Sequence, residues 1–305
     1  MSHVAPFLQE RRENMDEKAK NNARKALEEM NVMEDFLFRE IMADEQNGMD
    51  VCRMILSCVL KRKIGEISYT PQREVPGISE AAHGIRLDVY IKEVLGTGRY
   101  DFKVYDVEPD NQEKKKGSLP RRSRYYADLI DNNLLQAGDD YENLPELITI
   151  FILSYDPFGA DAMYYEAGSV IKTHPDIPYD DGVRRIFLYT DGKLPKGAGE
   201  AEQALKNLLM YVKNSSEENV TDDNTKRLNE IVKKTKANKY VGIRFMKSWE
   251  IIRDAKEEGR EEERINTERE RKRAKEEKKR ADAEKKRADA AEARVKELEA
   301  KLAMR

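Results

Sequence analysis

Hydrophobic positions change their period several times along the chain, and each change marks an expected element. Residues 1 to 30 are rich in Asn, Lys and Glu and show no apolar period before Leu27, which predicts a loosely helical polar lead-in. Asn31 and Glu34 have the three-residue spacing of a capping box, and Met33, Phe36, Leu37 and Ile41 then recur at helical intervals. A first helix is therefore expected from about Val32 to Met42. Asp50 is expected to cap a second, with Val51, Ile55, Cys58 and Val59 on one face.

From Ile85 to Ile91 the period becomes two: Ile85, Leu87, Val89 and Ile91 point one way, Arg86, Asp88 and Tyr90 the other. Gly96-Thr97-Gly98 supplies a turn, and Tyr100 to Glu108 reads as the second strand of a β-hairpin. Pro120 opens a helix with Tyr126, Ile130 and Leu134 on one face. Leu147 to Leu153 is almost wholly apolar, the pattern of a strand covered on both faces. Val183 to Tyr189 reads as a further strand, and 200–212, 222–236 and 240–255 as three helices. The order predicts a mixed α/β domain over residues 31 to 255.

The tail from 256 to 305 follows a different rule. Glu277 to Ala283 is repeated unchanged as Glu284 to Ala290, and Ala274, Ala281, Ala288, Val295 and Leu302 continue a seven-residue step, joined by Ala291 and Leu298. A long C-terminal helix follows, either a coiled coil firmest from Ala288 onward or a solvated single helix with interleaved charges.

Charge separates the same two parts. The tail holds 18 basic and 15 acidic residues in 50, whereas residues 1 to 255 carry 38 basic and 44 acidic, a net of −6. No global basic field announces nucleic acid, although a local patch is allowed. No apolar run suits a membrane span and the N-terminal residues lack a signal-peptide core, so a soluble cytoplasmic protein is expected. Cys52 and Cys58, with His3, His83 and His174 scattered, form no zinc spacing and read as buried thiols.

The candidate chemistry lies on the hairpin. Asp88 shares a face with Tyr90 and Lys92 on the first strand, and Asp106, Glu108 and Asp110 occupy alternate positions on the second. Closure by Leu95 and Arg99 sets Asp88 opposite Asp106; closure by Gly96 and Tyr100 sets it opposite Glu108. Either register gathers carboxylates that repel one another, a repulsion relieved by Mg²⁺ or Mn²⁺ or, on an open face, by solvent.

Several segments also carry a resemblance. They are Asp-Phe-Leu-Phe (35 to 38), Gly-Ile-Arg-Leu-Asp-Val-Tyr (84 to 90), Tyr-Asp-Val-Glu (105 to 108), Pro-Arg-Arg-Ser-Arg-Tyr-Tyr (120 to 126), Leu-Pro-Glu-Leu (144 to 147) and Asp-Pro-Phe-Gly (156 to 159). In this order and spacing they resemble the PD-(D/E)xK nuclease family transposases, relatives of the recombination-promoting nucleases, over roughly residues 31 to 255. The resemblance implies a restriction-endonuclease-like core, a mixed sheet with flanking helices, in which Asp88 and Glu108 hold Mg²⁺ (or Mn²⁺) and DNA phosphodiester bonds are hydrolysed. One position departs. Where that superfamily carries Lys two residues after the Glu, and this family often Gln, the chain has Asp110.

An anion there cannot stabilise another anion, so Asp110 is a further candidate metal ligand and the basic group must come from elsewhere. Lys92 is one candidate and the following helix supplies others. Arg121, Arg122, Arg124 and Tyr125 cluster at that helix start as candidate DNA contacts. Asp35 is a candidate extra ligand or a helix-start charge. The leading expectation is a Mg²⁺-dependent DNA endonuclease, dimeric through its tail. The alternatives are a catalytically inactive relative that binds DNA or protein, and a coiled-coil scaffold with a globular head.

Overall fold

The computed structural model describes residues 17, 20–77, 83–112 and 117–303, with the side chains of 289, 293 and 297–303 left aside. Most of the polar lead-in, Lys114 to Lys116, and the side chains of Leu298 and Leu302 lie outside the described residues. Contacts divide the chain into one compact unit reaching Phe245 and a second from Met246 to Arg305.

A short helix, α1, covers residues 20–29. α2 spans Asp35–Ala43, three residues later than the capping-box spacing predicts. The reason is that only half of the box forms: the Asn31 N–H donates to Glu34 Oε1 (2.8 Å), but Asn31 Oδ1 accepts from the distant Ser215 N–H (2.8 Å). α3 spans Glu45–Leu60 and is capped by Asp44, whose side chain accepts from the Asn47 N–H. Asp50 therefore lies inside the helix and pairs instead with Arg227 (2.7 Å). Cys52 and Cys58 are both buried.

Six strands follow the order β1-β2-β3-β4-β6-β5: β1 Ile67–Val75, β2 Ile85–Val94, β3 Phe102–Asp110, β4 Leu147–Leu153, β5 Tyr164–Ala167 and β6 Val183–Tyr189. The first three pair antiparallel, β3-β4 and β4-β6 are parallel, and β5 runs antiparallel to β6 on the far edge. Parallel neighbours on both sides explain why every residue of β4 is buried. β1 and β5 were not expected from the sequence. Pro71 and an irregular polar pattern disguise β1, and β5 is only four residues long; both occupy edges, where such segments are tolerated.

α4, Leu119–Asn132, has Pro120 in its first turn and lies against one face of the sheet. Leu134, expected on its apolar face, falls just beyond its end. On the other side α2 and α3 pack on β1. α5 (Glu200–Lys213) and α6 (Asp223–Ala237) complete the layer, and α7 runs from Lys239 to Ala303 with no break at 255. Val241 and Phe245 at its start are buried, whereas its residues from 251 to 288 are exposed. No helix of the described residues is long and apolar enough to cross a membrane.

Candidate active site

The β2-β3 ladder decides between the two hairpin registers. Tyr90 faces Asp106 and Val89 faces Val107, so continuation by one step sets Asp88 opposite Glu108, the register closed by Gly96 and Tyr100. Side chains at facing positions share a side of the sheet. One transverse row therefore reads Asp88, Glu108, Phe151, Phe187 and Tyr165 from β2 to β5, since Glu108 faces Phe151, Phe151 faces Phe187, and Phe187 faces Tyr165. The next row reads Tyr90, Asp106, Thr149 and Arg185.

The two rows meet α4. Tyr126 of that helix stands 6.2 Å from the Phe151 ring, and the Arg122 guanidinium lies 5.2 Å above the same ring. Asp106 is fully buried and Glu108 is only 6% exposed. The Asp88 N–H donates to Glu108 Oε1 (2.7 Å), and Gln72 Nε2, from β1, donates to Asp88 Oδ1 (3.1 Å). Gln72 holds φ +50°, a left-handed conformation at the point where β1 passes Asp88.

All three carboxyls are pushed toward their protonated forms. Asp88 is raised by burial and by the charge of Asp35, against the pull of Gln72, Arg86 and Arg122. Asp106 is raised by burial and by Asp88, while Glu108 is raised by burial and then by Asp106 and Asp88. Thr149 Oγ1, Arg185 Nε and Arg122 Nε have no hydrogen-bond partner, while Asp106 meets only the neighbouring Glu108 carboxyl and Tyr90 OH only Arg73. A buried row of unmet donors and acceptors is costly unless it receives water, an ion or a substrate group.

The remaining candidates separate. Asp110 is tied to α4 and to the end of β4: Arg122 Nη2 donates to its Oδ2 at 2.6 Å, and Tyr155 OH donates at 3.2 Å. Lys92 is not brought to the acids. It lies four residues from Asp88 on an extended strand, roughly 13 Å away, with its ammonium 4.1 Å from the Phe102 ring centre. Burial and Arg73 lower its pKa. Arg122 is half-buried and turned into the carboxylate site, whereas Arg121 and Arg124 are exposed. Tyr125 donates its hydroxyl to the His83 carbonyl and so fastens α4 to the start of β2. Asp35 acts on Asp88 electrostatically and stands 3.6 Å from Arg39.

Asp106 and Arg122 thus join Asp88 and Glu108: the alternation already counted Asp106 among the converging acids, and of the basic groups offered by the following helix as well as by Lys92 it is Arg122 that reaches Asp110. Nothing in the sequence fixed where Arg122 points. Among the described residues no three His, Cys, Asp or Glu side chains form a ready-made cage for a metal. Mg²⁺, however, is commonly held by one or two carboxylates, with waters and substrate phosphates supplying the rest. Hard oxygen donors gathered among buried polar atoms that lack protein partners fit such an ion.

No curated protein and no solved structure matches the chain. The sequence model of one family does, described as PD-(D/E)XK nuclease family transposase, and its match covers residues 32–244, the span that contains the whole sheet and α4. With a six-strand mixed sheet, flanking helices and more than half of its length matched, the chain belongs to the PD-(D/E)XK nuclease family transposases.

Proposed function

We propose that this chain is a divalent-metal-dependent DNA endonuclease that hydrolyses phosphodiester bonds. The observation that carries the reading is the convergence of Asp88, Asp106 and Glu108 under α4 with a guanidinium, Arg122, turned into the same site. Asp88 and Glu108 would hold Mg²⁺ or Mn²⁺, which when bound lowers the pKa of water and offsets charge on the phosphoryl group. Arg122 supplies the cation that Asp110 cannot: its Nε has no acceptor in the fold and suits a phosphoryl oxygen. Asp106, buried beside Asp88 and Glu108, would accept a proton from the attacking water in its ionised form, which a cation held by its neighbours would favour. Arg121 and Arg124, exposed on the same helix as Arg122, would contact the DNA backbone.

One observation favours a second reading, a catalytically inactive relative acting as a DNA- or protein-binding module. Position 110 is an acid, and it engages the Arg122 guanidinium. Supercoiled plasmid incubated with Mg²⁺ or Mn²⁺ separates the two: nicking by the natural protein and none by Asp88→Ala supports the enzyme, whereas DNA binding without cleavage by either supports the inactive relative.

The tail reading is a homodimer held partly by α7 through its heptad positions, an arrangement that brings two sites to two strands. Light scattering on the full chain and on a version ending at Ala255 checks it. The same number of chains per particle in both versions removes the tail-held dimer.

A further inference from the structure

The row that begins with Asp88 and Glu108 does not end at the metal ligands. It continues across the sheet as Phe151, Phe187 and Tyr165, with Phe151 and Phe187 stacked at 5.6 Å. Phe158, from the loop after β4, closes this aromatic run. Its ring stands edge-on to Tyr165 at 5.1 Å and to Phe187 at 5.2 Å, yet 47% of the residue is exposed. A single exposed phenylalanine is ordinary on a protein surface; what distinguishes this one is its anchorage and its address.

The anchorage comes from Asp156. Its carboxylate accepts the N–H groups of Phe158 (3.1 Å), Gly159 (3.0 Å) and Asp161 (2.7 Å), and the hydroxyl of Tyr165 (2.7 Å). The loop is thereby held in one shape, with Phe158 packed on Tyr165 and Phe187 and still about half exposed. The address follows from strand spacing: Phe187 is two strands from Glu108 and Tyr165 three, roughly 10 and 14 Å along the row. That is a few nucleotides from a phosphate at the carboxylates. Tyr155, in the same loop, donates to Asp110 and links the platform to the site itself.

We propose that Phe158 is a stacking platform for an unpaired nucleobase of the cleaved strand, so that the protein selects DNA in which bases near the cut are unstacked or single-stranded. The inference rests on the nuclease reading above and names its substrate class. A base in an intact duplex keeps its faces covered by its neighbours, whereas an unpaired base offers a face to a preset ring.

The test measures binding, in EDTA so that nothing is cut, of the full chain to a fluorescein-labelled single-stranded oligonucleotide and to the same strand in duplex. Phe158→Leu keeps the apolar packing on Phe187 and Tyr165 but removes the ring, and Phe158→Trp keeps an aromatic face. Phe158→Leu should weaken single-strand binding on the order of tenfold and leave duplex binding unchanged, with Phe158→Trp restoring the loss. Equal losses on both DNAs, no loss on either, or natural protein that binds neither form overturns the platform. Plasmid cleavage that depends on Asp88 while Phe158→Leu binds single strands normally sinks the platform alone. Ring-dependent single-strand binding by a protein that cleaves nothing keeps the platform and sinks the nuclease reading.

Discussion

Glu93 and Glu108 belong to the same β-hairpin, and both are nearly sealed from solvent, at 2% and 6% exposure. Glu93 lies on the opposite face of the sheet, where Arg62 meets both its oxygens at 2.8 and 2.6 Å, the Gly65 N–H donates at 3.0 Å and the Tyr105 hydroxyl at 2.5 Å. Chiefly through Arg62, its pKa is drawn down to about 2. Glu108 receives one backbone N–H, sits beside Asp106 and Asp88, and has its pKa driven up. One carboxylate is stabilised as an anion by its surroundings; the other is held where an anion is disfavoured. A fold that neutralises one buried acid so completely has the means to neutralise another, so the unmet cluster is the functional candidate.

The largest expected effect is on chemistry. Glu108→Gln and Asp88→Ala should each lower plasmid cleavage at least about a thousandfold, because several kcal/mol of charge stabilisation are lost with the metal. Calorimetry should show Mn²⁺ binding lost in both, and unchanged binding would place the ion elsewhere.

Stability should respond at the other cluster. Arg62→Ala strands Glu93 without its cation and should cost about 2–3 kcal/mol in urea unfolding, at the low end because 40% of the Arg62 side chain is exposed. Glu93 has a depressed folded pKa, so its contribution is present above about 4.5 and is lost as pH falls toward about 2. Arg62→Ala should flatten that acid limb.

Asp106→Asn should act with the opposite sign and smaller size, raising metal-free stability by about 1 kcal/mol near neutral pH through removal of one member of a repelling group. Asp106 and Glu108 have raised folded pKa values. The folded state therefore binds more protons than the unfolded once pH passes the ordinary carboxylate range, and stability falls as pH rises toward their folded values. Thermal melts from pH 5 upward should slope less in Asp106→Asn; an unchanged slope would show that the row is already satisfied. Lys92→Ala should leave cleavage unchanged, since that ammonium sits on Phe102 and not on the acids. A loss of cleavage there would return Lys92 to the site.

How much of this was written in the chain depends on the range of the interaction. Alternation over 85–91 gave the acid face, and the glycine turn left two registers, both of which joined the carboxylates. Local patterns also gave β4, β6 and α4 to within a residue or two. Contacts set by strand order escaped. Glu93 is an unremarkable member of a charged pair in sequence, and its bond to Arg62 spans 31 residues. Arg122 belongs to a basic run whose members point to different surroundings, so only the placement of α4 over β3 and β4 reveals which one meets Asp110. The departure at position 110 was visible from the start; its partner was not.

The two outermost strands carry a consequence for behaviour at high concentration. β1 bears Pro71, which has no N–H to offer, followed by Gln72 in a left-handed conformation, and β5 is four residues long. Neither border presents the long, regular row of donors and acceptors that templates another chain's strand. Cross-β aggregation through these edges is therefore disfavoured in the folded protein, and wear on its solubility should begin with partial unfolding that exposes the apolar strand Leu147–Leu153.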